Sequence, residues 1–276
     1  MSTLWQDLRY KTLHSGSKLN LIIGINVLAF LLVSIPSVIL FLTGNEGISN
    51  LITDYIYLPA YLPKLLTRFW TPLTYMFMHA GVFHILFNML WLYWMGEIFE
   101  EYLGKKRLMG LYLMGGLAGA VFFIASYNLF PVFAGVLPAA TVVGASASVM
   151  AVVVATATLL PNYTISLMFV GPVKLKWVAA FFVVIDFLGI TGGNAGGMIA
   201  HLGGALLGFI YIKQLNAGND WNKTADQLFS QRPKVKVAAK SRPYQSNVTS
   251  KPRQEEVDHI LDKISQSGYD SLNKHE

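Results

Sequence analysis

The chain has no cysteine and little charge: of 276 residues, 13% are Asp, Glu, Lys or Arg, with 15 acids against 21 Lys plus Arg. Without cysteine there is no disulfide framework, no thiolate metal site and no thiol nucleophile, which excludes cysteine-protease chemistry. So little charge cannot cover the surface of a water-soluble domain of this length. Apolar residues fill the space instead: 54% of the chain is hydrophobic, and the mean hydropathy is +0.47. An all-α polytopic membrane protein fits this composition. The formal charge of +6 points to membrane orientation, because the basic residues gather at the ends of apolar segments and in the tail. No nucleic-acid partner is expected.

A membrane-crossing helix needs about 20 mostly apolar residues. That measure predicts six, near 19–42, 83–103, 107–128, 145–160, 172–190 and 195–215. The first run is longer than a secretory h-region and lacks a small-residue cleavage site, so it reads as a retained span. Lys and Arg precede the first span, separate the second from the third (Lys105, Lys106, Arg107), open the fifth (Lys174, Lys176) and follow the sixth (Lys213, Lys223). If the chain alternates, all lie on one side, and the positive-inside rule puts both termini in the cytoplasm. The expected location is the cell (inner) membrane. The loop from Thr43 to Val82, between the first two spans, carries Tyr55, Tyr57, Tyr61, Phe69, Trp70, Tyr75 and Phe77 among three prolines. Aromatic residues settle at the membrane interface, so this loop reads as a structured, membrane-associated cap.

The expected organisation is therefore a cytoplasmic segment 1–18, a six-helix domain 19–215, a basic disordered linker 216–253 and a short amphipathic helix within 254–276. The linker holds Arg232, Lys234, Lys236, Lys240, Arg242, Lys251 and Arg253 with no acid between Gln231 and Arg253. Beside a membrane it would contact anionic lipid at ~1 kcal/mol per basic residue; a solvated linker is an equal reading. In the last segment Val257, Ile260, Leu261 and Ile264 recur at helical spacing before Gly268.

Polar groups at membrane depth are costly and mark function by default. Ser146 opens the fourth span and His201 lies about two turns into the sixth, while His84 and Asn88 share one face of the second. With the orientation above, all four fall in the outer half of the bilayer. Ala147, Ala151 and Ala155 on span four, and Ala200, Gly204 and Gly208 on span six, form small-residue ridges that let two helices approach closely. A hydroxyl within reach of an imidazole becomes a nucleophile, and the resulting oxyanion needs donors. Ser146 would attack, His201 would act as base and then acid, and His84, Asn88 and the backbone N–H of Ala145 would receive the oxyanion. Asp186, near the outer end of span five, is the only acid in the outer half of the inner spans. A Ser-His dyad is the expectation, and a full triad is not indicated.

These residues carry a family resemblance. The stretches His84-Ile85-Leu86-Phe87-Asn88, Gly144-Ala145-Ser146-Ala147 and Ala200-His201-Leu202-Gly203-Gly204 resemble the motifs of the rhomboid intramembrane serine proteases, in the same order and on the same spans. The resemblance covers roughly residues 19–215 and is to the bacterial members. It implies a rhomboid-like bundle of six transmembrane helices, a Ser146/His201 dyad, an oxyanion site at His84 and Asn88, and a water-filled cavity open to the outer side. His79 stands five residues before His84, which is not a zinc-protease spacing, and no acid accompanies it, so no metal is expected, and no cofactor either. Ala147, Met150 and Thr71 depart from the family pattern, where a glycine, an aromatic and an arginine are usual. Arg68 is a stand-in for the last.

A membrane helix has its backbone bonds satisfied internally, so it resists cleavage until a segment unwinds. The expected substrates are single-span membrane proteins with helix-destabilising residues near the outer boundary. The alternative function is a proteolytically inactive rhomboid-like protein that binds membrane helices as a chaperone.

Overall fold

The structure is a computed structural model that describes residues 16–168, 170–223 and 254–273. Most of the segment expected before the first span, and of the basic linker, lies outside the described residues. The chain divides into two compact units, 1–229 and 230–276.

The first unit is an all-α membrane bundle. Its helices are α1 (Lys18–Leu42), α2 (Val82–Leu103), α3 (Lys105–Leu129), α4 (Ser146–Leu159), α5 (Leu175–Gly189) and α6 (Ala195–Asn216). They fall on the six apolar runs of the sequence, and α1, α2, α3 and α6 are each long and apolar enough to cross a membrane. The outer faces of these helices are apolar yet exposed, as at Leu32, Val38 and Leu42 of α1. An exposed apolar face of this extent is solvated by lipid.

α4 is different. Every residue from Ala147 to Ala157 is buried, and 14 residues at 1.5 Å each reach only about 21 Å, short of the ~30 Å hydrocarbon core. α2, α3, α5 and α6 pack around it. Its alanine ridge is gripped from two sides by glycines: a Cβ built on Gly204 or Gly208 of α6 would come within 2.0 Å of the Ala147 carbonyl oxygen or 2.2 Å of that of Ala151. On α3, a Cβ at Gly119 or Gly115 would come within 2.5 Å of the Ala147 Cβ or 2.4 Å of the Ala151 Cβ. Absent side chains let these backbones touch, the packing that holds helices together where no hydrophobic effect acts between them.

Polar contacts lock the periphery. Asn26, fully buried on α1, donates to the Tyr112 hydroxyl (3.0 Å), which donates to the Met76 carbonyl (2.7 Å). The start of α1 rests on Glu100: the Ser17 hydroxyl donates to Oε2 (2.8 Å), and the Lys18 and Leu19 amides donate to Oε1 and Oε2 (3.0 and 3.3 Å). Those amides are among the donors a helix start leaves without partners. Glu100→Ala is therefore expected to cost about 1–3 kcal/mol, read as a lower thermal midpoint in detergent, with Glu100→Gln falling between. A midpoint unchanged in both variants would show that solvent serves these donors equally well.

One feature departs from the sequence reading. The fifth span does not begin at 172: residues Thr164–Leu167 (β3) and Gly171–Lys174 (β4) pair as an antiparallel hairpin, and α5 starts only at Leu175. The loop from 43 to 82 is built of short elements, a helix at Glu46–Ile56, single turns at Leu62–Leu66 and Thr71–Thr74, and β1 (Leu58–Pro59), which pairs with β2 (Thr141–Val142). Arg68 fastens it, with Nη2 2.6 Å from Asp54 Oδ2, a bond from Nη1 to the Asp54 carbonyl, and its guanidinium over the Tyr55 ring at 4.5 Å. Lys64 also pairs with Asp54. The bond from Arg68 holds the Asp54 carboxyl below its ordinary range. Thr71 is buried and donates to the Arg68 carbonyl at 2.8 Å.

In the second unit, the helix α7 (Gln254–Ser267) ends at Gly268, whose φ of +78° suits glycine. Val257, Ile260 and Ile264 are half-buried and Leu261 is exposed.

Candidate active site

Ser146 is the first residue of α4, and the turn before it is set by Gly144. That glycine has φ +137°, its N–H donates to the Tyr75 carbonyl (3.0 Å), and a Cβ on it would lie 2.8 Å from the His84 ring and 3.3 Å from the Ser146 hydroxyl. Glycine is required twice over, for the dihedral and for the space. It lets an imidazole from α2 stand beside the hydroxyl of α4.

His201, on α6, points at the same hydroxyl. Its Nε2 is 2.6 Å from Ser146 Oγ. The closeness follows from the bundle: Ala147 and Gly204 fix the crossing of α4 and α6 next to the two residues, so their side chains face each other across a backbone contact. A short hydrogen bond between a hydroxyl and a ring nitrogen is the arrangement in which the nitrogen can take the hydroxyl proton as oxygen attacks a carbonyl.

The sequence does not indicate a carboxylate for His201, but the structure supplies one. Asp186 Oδ1 of α5 lies 2.9 Å from His201 Nδ1, and the residue is 6% exposed. α5 and α6 are joined by the turn at 190–194, so residues a few positions to either side of it share a depth. A lone acid close before that turn and a lone histidine close after it are the signal that could have paired them.

On the other side of Ser146 are the donors. The Ala80 N–H points at His84 Nδ1 (3.4 Å), which favours the neutral form with its proton on Nε2, the nitrogen beside Gly144 and Ser146. Asn88 is 7% exposed and gives one amide hydrogen to the His84 carbonyl (2.8 Å), leaving a second for the cavity. Ala145 is buried at the helix start, where its N–H and that of Ser146 have no intrahelical acceptor. His79 packs edge-on against His84 with ring centroids 5.1 Å apart.

Ser146, His201, Asp186, His84 and Asn88 line a cavity of about 770 Å³. Its polar wall also includes Thr141 and Asn194, and its apolar wall includes Trp91, Met150 and Phe182. Met150 thus fills space in the cavity wall where the family pattern has an aromatic, and its flexible thioether adapts to that role.

Comparisons with known proteins agree with this architecture. The Rhomboid domain model matches residues 66–216, and a family of unknown function (DUF6576) matches residues 244–276. Among similar proteins, RHOMBOID-like protein 12, mitochondrial, of Arabidopsis thaliana is 33% identical over 160 residues, which cover 55% of this chain and 48% of that protein. Presenilin-associated rhomboid-like protein A, mitochondrial, of Danio rerio is 30% identical over 143 residues, covering 49% and 35%. The chain spans half or less of the length of these two relatives. With the domain match taking in more than half of its residues and all but the first helix of the bundle, the chain belongs to the rhomboid family.

Proposed function

We propose that the protein is an intramembrane serine endopeptidase that cuts the transmembrane segments of other membrane proteins near the outer face. The observation that carries the reading is the 2.6 Å contact between His201 Nε2 and Ser146 Oγ beside a cavity with oxyanion donors. In the reaction, Oγ bonds to the scissile carbonyl carbon as its proton passes to Nε2. The carbonyl oxygen becomes an oxyanion facing the Ala145 and Ser146 amides, His84 Nε2–H and the free amide hydrogen of Asn88. Collapse breaks the C–N bond, and the proton on Nε2 leaves with the amine. A water molecule, deprotonated by the same nitrogen, then releases the acyl group from Ser146.

The basic residues at the helix ends support an orientation with both termini cytoplasmic, and the location proposed is a cell membrane, although the two relatives named above are mitochondrial by name. The substrates are single-span proteins whose helices unwind easily. Their entry is lateral. α2 and α5 meet through an edge-to-face stack of Trp91 on Phe182, with centroids 4.8 Å apart, while Phe83, Phe87 and Ile185, which also line the cavity, are exposed on the lipid side. A helix could part these two and bring an unwound segment to Ser146.

The test of the activity is incubation of the purified chain in detergent with a single-span substrate carrying Gly and Pro near its outer end. Cleavage that depends on Ser146 is expected; binding without cleavage by the wild type would reject the protease and favour the helix-binding chaperone. The gate has its own test, which the cysteine-free chain makes clean. Trp91→Cys and Phe182→Cys, joined by a short bifunctional thiol reagent, should lower substrate cleavage tenfold or more relative to the unjoined pair. Labelling of Ser146 by a small fluorophosphonate should continue. Equal cleavage by the joined and unjoined forms would remove the gate.

A further inference from the structure

We infer that Asp186 is a positioning residue for the proposed reaction, so that this chain works with three groups in line, Ser146, His201 and Asp186, and not with a hydroxyl and an imidazole alone. The inference rests on the protease reading and deepens it. Three helices contribute one group each: α4 the hydroxyl, α6 the imidazole and α5 the carboxylate. The contacts run in series, 2.6 Å from Oγ to Nε2 and 2.9 Å from Nδ1 to Oδ1.

The chemistry of the ring requires that only one nitrogen carry a proton before attack. A carboxylate is an acceptor only, so Oδ1 at 2.9 Å keeps the proton of neutral His201 on Nδ1 and leaves Nε2 with its lone pair toward the serine. When Oγ attacks, its proton moves to Nε2 and the ring becomes a cation. That charge forms 2.9 Å from the ring's carboxylate partner, which is itself 6% exposed, so the opposite charge counts for more than it would in bulk water. Asp186 keeps its charge throughout, and no proton passes to it.

A purely structural role, in which the pair only ties α5 to α6, fits the details less well. The other carboxylate oxygen, Oδ2, is buried without a hydrogen-bond partner among the described residues. The small-residue contact of α4 with α6 already fixes His201 relative to Ser146, so what Asp186 adds is the ring's tautomer, its rotation and the stabilisation of its positive form.

The experiment uses the full chain in detergent micelles and compares wild type, Asp186→Asn, Asp186→Glu and Ser146→Ala for kcat, KM and thermal midpoint. Asp186→Asn keeps the size but removes the charge, and its amide can donate to Nδ1 and move the ring proton to Nε2. The expected result is a kcat lower by about 10²-fold or more, with KM within twofold and the midpoint little changed. Asp186→Glu should recover part of the loss. In parallel, ¹⁵N-histidine spectra of the wild type at neutral pH should show His201 protonated on Nδ1. A kcat in Asp186→Asn equal to wild type, a fall explained by lost folded protein, or a wild-type ring protonated on Nε2 would each overturn the inference, and the last needs no variant to fold. If Ser146→Ala still cleaves, the protease reading itself fails; if cleavage needs Ser146 but ignores Asp186, only the positioning role does.

Discussion

Ser146→Ala, His201→Ala and the double variant are expected to fall to one common residual rate, about 10⁴-fold or more below wild type, and not to multiply their losses. The two side chains act as a unit through a single 2.6 Å contact: without the hydroxyl the base has nothing to activate, and without the base the hydroxyl keeps its proton. Removing either therefore removes nearly all that removing both does. The residual comes from the oxyanion donors, which are held by α2 and by the start of α4 and survive both substitutions. Substrate affinity should remain within twofold, because the cavity wall is untouched. The measurement is single-turnover cleavage of a fluorescent single-span substrate, with binding read from anisotropy. Losses that multiply in the double variant would mean that the two residues serve separate steps, and the proposed proton path would be wrong.

The largest effect on stability is expected at Gly204. Its missing Cβ would sit 2.0 Å from the Ala147 carbonyl oxygen, and that neighbour is backbone, which no rotamer change can move aside. Gly204→Val must push α4 and α6 apart. Overpacking in a tight interior typically costs about 1–3 kcal/mol and occasionally more, and here the strained contact lies one residue from Ser146 and three from His201. Gly204→Val should lower the thermal midpoint sharply, and any folded fraction should label slowly with a fluorophosphonate because the dyad has been pulled apart. Gly47→Ala is the matched control: it lies in the loop helix Glu46–Ile56 with nothing within 4 Å of an added Cβ. There the same kind of change should be neutral or stabilising by up to about 1 kcal/mol, since alanine favours a helix over glycine. Equal behaviour of the two variants would show that the close crossing of α4 and α6 is not what holds the bundle.

Hydropathy makes the six helices readable in advance, because lipid demands long apolar runs and the chain has six of them. It fails where the elements are short. Residues 172–174 read as the start of the fifth span because Val173 adjoins the apolar run from Leu175, whereas in the structure they belong to β4, which pairs with Thr164–Leu167. The nearness of Ser146 and His201 is readable from small-residue ridges and shared depth. The second grip on the alanines, from Gly115 and Gly119 of α3, is not, since α3 is glycine-rich along its length and periodicity alone does not say which face meets α4. Asp186 is the most instructive case. One acid in an apolar helix has no motif, and only its distance from the turn at 190–194 hints at its partner.

The brevity of α4 has an effect on the whole molecule. A rod of about 21 Å, sheathed by its neighbours, never meets an acyl chain, so it cannot sense how thick the surrounding bilayer is. The level at which its hydroxyl floats is dictated by the longer rods around it, which do feel lipid and tilt in response. The reacting centre therefore feels lipid composition only through those rods, and under the proposed activity the choice of bond to cut becomes a matter of how they and an arriving helix float relative to one another.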